Sequence, residues 1–152
     1  MNEHRSAVLV EARRWIGTPY HHMGRVKGVG ADCATFPAEV YAAVGVIASV
    51  PIAFYPQDWH LHRGEERYLA QVLDVAREVV APEPGDLALW RIGRAFAHGA
   101  IVIAWPRIVH AAIGLGVIED DASSPSLAFA RRSDAHRRRD VRFFSPWNNP
   151  PS

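Results

Sequence analysis

A chain of 152 residues, 49% hydrophobic and 22% charged, has the composition of a soluble globular protein and is long enough to bury one core, over 1–152, without metal or disulfide. Its single cysteine excludes an internal disulfide, and no apolar run approaches the ~20 residues of a membrane span. The formal charge of +1 hides an arginine-rich run near the end that could meet an anionic surface, and the start, Met1-Asn2-Glu3-His4-Arg5, lacks the apolar core of a signal peptide, so export would need another route, such as assembly into a particle.

In chain order, Val8, Ala12, Trp15 and Ile16 mark one face of a first helix, stopped by Gly17-Thr18-Pro19. A connection rich in glycine and histidine, Tyr20 to Ala31, leads to a second helix. Cys33, Phe36, Pro37, Val40, Tyr41 and Val44 form its inward face, and Gly45 ends it. The thiol is expected in the first turn, where the helix dipole favours thiolate and backbone N–H groups stand free for an oxyanion. Pro37 reads as lying beyond that turn, so a kinked or tightened opening is expected. From Val46 to Gly64 the chain has no clear period. Glu65 and Glu66 then open a third helix with Leu69, Val72, Leu73 and Ala76 inward, and Pro82-Glu83-Pro84-Gly85 is a hard stop after it.

The second half reads as β. Leu87 and Leu89 alternate with Ala88 and Trp90. Ala97 to Ala104 is a near-continuous apolar run, as in a strand buried on both faces. Arg107 to Ala112 and Leu115 to Glu119 follow at hairpin spacing, Ser126 to Arg132 is a short helix or a loop, and Val141 to Phe144 closes the sheet. Helices first and strands second imply an α+β domain with an antiparallel sheet. The arginines between 131 and 142 (Arg131, Arg132, Arg137, Arg138, Arg139, Arg142) face Asp134 and Asp140, which suits a solvated or ion-paired face. No zinc-finger, helix-turn-helix or stacking-aromatic pattern accompanies them, so nucleic acid is not the expected partner.

His98 and His110 fall on neighbouring strands, and the loop between these decides whether the rings meet. A two-residue loop, Trp105-Pro106, sets Ala104 opposite Arg107 and sends the rings to opposite faces. A three-residue loop centred on Trp105 sets Ala100 opposite His110 and makes His98 its same-face diagonal neighbour. In the second case a cysteine at a helix start faces two histidines, the minimal thiol-peptidase arrangement: nucleophile, base and orienting group. A zinc site from Cys33, His98 and His110 is a weaker alternative, without a clear fourth ligand.

These residues carry a resemblance. Trp15-Ile16-Gly17-Thr18-Pro19-Tyr20, Gly28-Val29-Gly30-Ala31-Asp32-Cys33, Pro84-Gly85-Asp86, His98-Gly99-Ala100-Ile101-Val102 and Ile108-Val109-His110-Ala111, in that order, resemble the NlpC-type cell-wall cysteine peptidases. Within them, together with Tyr55-Pro56 to Trp59 and the arginine-rich approach to Phe143-Phe144, they are most similar to the small branch encoded among phage tail genes and in gene transfer agents. The resemblance implies a minimal papain-like fold, with Cys33 as nucleophile, His98 as base and His110 as third polar residue. Tyr20 would line the site and Asp32 would help to bind the free amine of the substrate. It implies cleavage between D-γ-glutamyl and a diamino acid in peptidoglycan stem peptides, with no cofactor, by an enzyme made in the cytoplasm and carried on a tail among other tail-tip proteins. Ala34-Thr35 in place of the common Ser-Gly, Pro37, and His21-His22-Met23 depart from the family pattern. They bear on the substrate, and they keep open a second class of function: a structural tail component with a vestigial site.

Overall fold

The computed structural model describes residues 2–49, 66–128 and 138–147. Helix α1 (Glu3–Arg14) is capped by Asn2, whose side-chain oxygen accepts from Arg5 N, and Arg13 and Arg14 suit the negative end of its dipole. Val8, Ala12 and Trp15 are buried as expected, but Ile16 is 45% exposed because the helix has ended before it. Gly17 N donates to Val117 O and Val117 N to Thr18 O, tying this turn to a strand a hundred residues away. A small hairpin comes next, β1 (Arg25–Val26) with β2 (Gly30–Ala31), where no strand is expected from the sequence.

Helix α2 (Thr35–Ala43) ends at Val44 and Gly45, the glycine at φ 76°. Helix α3 (Arg67–Val75) buries Leu69 and Val72 but leaves Leu73 half exposed. Strand β3 (Arg77–Val79) leads to β4 (Leu87–Ile92), β5 (Ala95–Ala104), β6 (Arg107–Ala112), β7 (Gly116–Asp121), helix α4 (Pro125–Ala128) and β8 (Val141–Ser145). The sheet order is β3-β8-β4-β5-β6-β7, and every pairing is antiparallel. The last strand thus does not close an edge. It enters between β3 and β4, because β3 supplies a further strand that three residues with no alternation did not announce.

The period-2 pattern sorts the core. Leu87, Leu89, Ile101, Ile103, Val109 and Phe144 pack with Val8, Trp15, Phe36, Val40 and Leu69 on the helical side. Ala88, Trp90, Ala100, Val102 and Ile108 pack with Ala122 and Leu127 on the other. Burying a side chain such as Phe36 or Ile101 stabilises the fold by about 1.5–3 kcal/mol each. This is an α+β architecture with the cysteine-bearing helix packed on an antiparallel sheet. Arg5 ties α1 to the turn before β4: its guanidinium donates to Asp86 Oδ1 at 2.9 Å and to Pro84 O at 3.0 Å, and Asp86 is buried. Among the described residues no helix is long and apolar enough to cross a membrane. Tyr55, Pro56, Trp59, His60, His62, Arg131, Arg132 and Arg137 lie outside the described residues.

Candidate active site

Cys33 stands two residues ahead of α2, in the turn that Asp32 builds. Asp32 Oδ1 accepts from Ala34 N (2.9 Å) and Thr35 N (2.8 Å), Oδ2 accepts from Met23 N (2.8 Å), and Asp32 N donates to Thr35 Oγ1. This is a helix cap made by an aspartate, and it neutralises the positive end of α2. Asp32 is 1% exposed and does not line the cleft, so it is a buried support rather than the rim residue its place beside the cysteine suggests.

Two consequences correct the expectations for the thiol. The first-turn N–H groups of Ala34 and Thr35 serve Asp32, so they are not donors for an oxyanion. Burial first, and then the Asp32 charge, push the Cys33 thiol up to about 12, against the opposing pull of the Gly99 and Cys33 N–H groups at the sulfur. The neutral thiol donates to Ala97 O at 3.2 Å. Ala97 is the extra residue of a β-bulge: Trp90 pairs with His98 and Arg91 with Phe96.

Pro37 follows the turn that Asp32 caps: Phe36 N already bonds to Asp32 O and Ala38 N to Ala34 O, so the missing N–H at 37 removes one helical bond, as expected. The carbonyl that an N–H at position 37 would have met, Cys33 O, accepts instead from Tyr68 Oη of α3 at 2.8 Å. Gly99 makes room for this contact. A Cβ there would overlap the Tyr68 hydroxyl and lie 3.1 Å from Cys33 O.

The two histidines meet by neither of the two expected routes. The hairpin loop is the two residues Trp105-Pro106, and Ala104 does oppose Arg107. A second bulge, at Ile103, then shifts the register so that Val102 opposes Ile108 and Ile101 opposes Val109. Continuing that register sets Ala100 opposite His110 and returns His98 to the same face. His98 Nε2 lies 2.8 Å from His110 Nδ1, with the rings perpendicular and 5.0 Å apart. Trp90 flanks His98 at 5.8 Å. Burial first, then His110 and Arg139, hold His98 neutral, down at about 3; burial also lowers His110, with Asp120 opposing.

Cys33, His98 and His110 line one cleft of about 410 Å³ together with Tyr20, Asp120 and Arg139. Burial, and the nearby sulfur and Asp32, push the Tyr20 phenol well above its usual value, so it stays a hydrogen-bond donor. Asp120, not among the residues expected from the sequence, places Oδ2 at 2.9 Å from His110 Nε2. Its signal was the strand period: Ile118 pairs with His110, so Asp120, two residues on, shares the face of the ring. Among the described residues no group of His, Cys, Asp and Glu is arranged to hold a metal ion, and both ring nitrogens of His110 are engaged, one by His98 and one by Asp120.

The fold is that of the NlpC/p60 domains. Solved structures similar to this chain include the NlpC/p60 domain of the peptidoglycan hydrolase SagA, at 24% identity and TM-score 0.54 over 80% of this chain and 91% of that one. A protein of Staphylococcus aureus described as similar to lipoprotein, NLP/P60 family, matches at 20% identity and TM-score 0.62 over 98% of this chain, which spans only 43% of that protein. RipD of Mycobacterium tuberculosis, described as a non-catalytic NlpC/p60 domain protein adapted to peptidoglycan binding, matches at 14% identity and TM-score 0.59 over 95% of this chain and 98% of that one. No protein-family profile matches the sequence, and no curated protein matches it.

Proposed function

We propose that this chain is a cysteine endopeptidase, one domain over 1–152, that hydrolyses peptidoglycan stem peptides between D-γ-glutamyl and a diamino acid. The observation that carries the reading is the shared cleft of Cys33, His98 and His110, with the two rings in hydrogen-bond contact. His98 Nε2 is engaged by His110, which leaves Nδ1 for the thiol proton. The resting pair is neutral, so proton transfer from Sγ to Nδ1 accompanies attack of sulfur on the scissile carbonyl. The Cys33 and Gly99 N–H groups and the Tyr20 hydroxyl are the donors at hand for the oxyanion. His98 returns the proton to the leaving amine, and water, deprotonated by the same nitrogen, then cleaves the thioester.

The substrate rests on the ordered motif resemblance and on a fold shared with a protein described as a peptidoglycan hydrolase. The resemblance also supports the setting: synthesis in the cytoplasm and delivery to the wall on a phage tail or gene transfer agent, among other tail-tip proteins. A second reading, a peptidoglycan-binding component without turnover, is favoured by the raised thiol pKa and by the non-catalytic protein of the same fold.

Mass spectrometry of muropeptides incubated with wild type and variants separates them. Wild type should release new stem-peptide fragments. Cys33→Ala should release none, and His98→Ala almost none. His110→Asn should keep measurable turnover, and His110→Ala should lose about 10–100-fold, the range for lost partners of metal-bound histidines. Retention of muropeptides by a wild type that never cuts them would establish the binding reading instead.

A further inference from the structure

We infer that Asp120 is a positioning residue that fixes the tautomers of His110 and His98 in series, so that the unprotonated nitrogen of His98 is Nδ1. A carboxylate only accepts hydrogen bonds. With Oδ2 at 2.9 Å from His110 Nε2, that nitrogen must carry the proton, since a bare lone pair there would face another acceptor. His110 Nδ1 is then the acceptor, and the nitrogen 2.8 Å from it, His98 Nε2, must be the donor. A neutral imidazole holds one proton, so His98 Nδ1 is left as a lone pair. Each step is forced by the one before it.

The carboxylate is itself held in place. Its other oxygen accepts from Asp121 N at 2.8 Å, which turns Oδ2 toward the ring. Of the nearby cations, Arg107 donates to Glu119 at 2.7 Å, and Arg139 lines the same cleft and bears on His98. Nothing in the pairing of His98 with His110 alone chooses between the two directions of the chain. Run the other way, His98 would carry its proton on Nδ1 and could not act as the base. The consequence for turnover rests on the peptidase reading; the tautomers do not.

The test is nitrogen-15 NMR of the histidine rings in the full chain at neutral pH, with wild type, Asp120→Ala and Asp120→Asn, alongside muropeptide turnover. In wild type both rings should be protonated on Nε2 alone. Asp120→Ala should move both rings toward a mixture of tautomers and lower turnover about 10–100-fold. Asp120→Asn, which keeps a carbonyl oxygen at the same place, should restore the wild-type tautomers in both. A proton on His98 Nδ1 in wild type, or unchanged tautomers in Asp120→Ala, would overturn the inference. Should Asp120→Ala fail to fold, the wild-type spectrum still decides. Wild-type tautomers as expected with no cleavage of any muropeptide would sink the peptidase reading and leave the relay standing.

Discussion

At the cysteine, two carbonyl contacts and one carboxylate decide the chemistry. The thiol sits beside a helix start, yet Asp32 has already used that positive end, so enclosure prevails over the dipole. Alkylation needs thiolate, and a raised pKa leaves less of it at any given pH. Iodoacetamide should therefore modify Cys33 far more slowly at pH 7 than a free cysteine of pKa ~8.5, with a rate rising about tenfold per pH unit through pH 10. A plateau reached by pH 8 would show an activated thiolate. Beside the thiol, Gly99 has no side chain because Tyr68 needs the space to reach Cys33 O. Gly99→Ala should cost about 1–3 kcal/mol by overpacking. Tyr68→Phe should cost about 1 kcal/mol for the lost hydrogen bond. The double variant should cost less than their sum, measured by urea denaturation, because the second change removes the atom that the first one strikes.

Among the elements, β5 positions the site through its irregularities. The bulge at Ala97 coincides with the carbonyl that meets the thiol, and the bulge at Ile103 puts two histidines on one face despite a two-residue loop. Alternation was readable in β4, but a bulge inserts one residue with no signature in a near-continuous apolar run such as β5. The Ala97–Ala104 segment therefore left the pairing of His98 with His110 undetermined. Helix α2 gives the converse case. Its end at Gly45 and its buried face of Phe36, Val40 and Tyr41 followed from local rules, while the use of its first free N–H groups by the Asp32 side chain did not. Pro37 forgoes a bond to Cys33 O that Tyr68 Oη makes instead, so Pro37→Ala should change stability by less than the ~3 kcal/mol that proline costs inside a helix. Chemical denaturation of both proteins checks this.

Over the whole molecule, the neutral histidines couple the site to stability. His98 is held at about 3 in the fold against about 6.5 in an unfolded chain, and His110 shifts the same way. A depressed pKa means that the unfolded state binds the proton first, so this stability is present above pH 6.5 and lost as pH falls toward 3. His98 should contribute a slope approaching about 1.4 kcal/mol per pH unit in that window. His98→Gln should flatten the fall in denaturation free energy between pH 6.5 and 5, where carboxylates contribute little. An identical slope in the variant would show that the ring is protonated in the fold.

The sequence by itself determined the α+β order, the two sheet faces and the candidates Cys33, His98 and His110, though not Asp120. Each of these depends on periods of 2 and 3.6, or on residue types that local geometry already constrains. Tertiary structure alone decided that β8 enters the sheet beside β4, that Tyr68 supports the Cys33 carbonyl across 35 residues of chain, and that Asp120 stands behind His110. It also decided the protonation of the thiol and of the rings, since burial depends on every element packed around them and on no local pattern of residues.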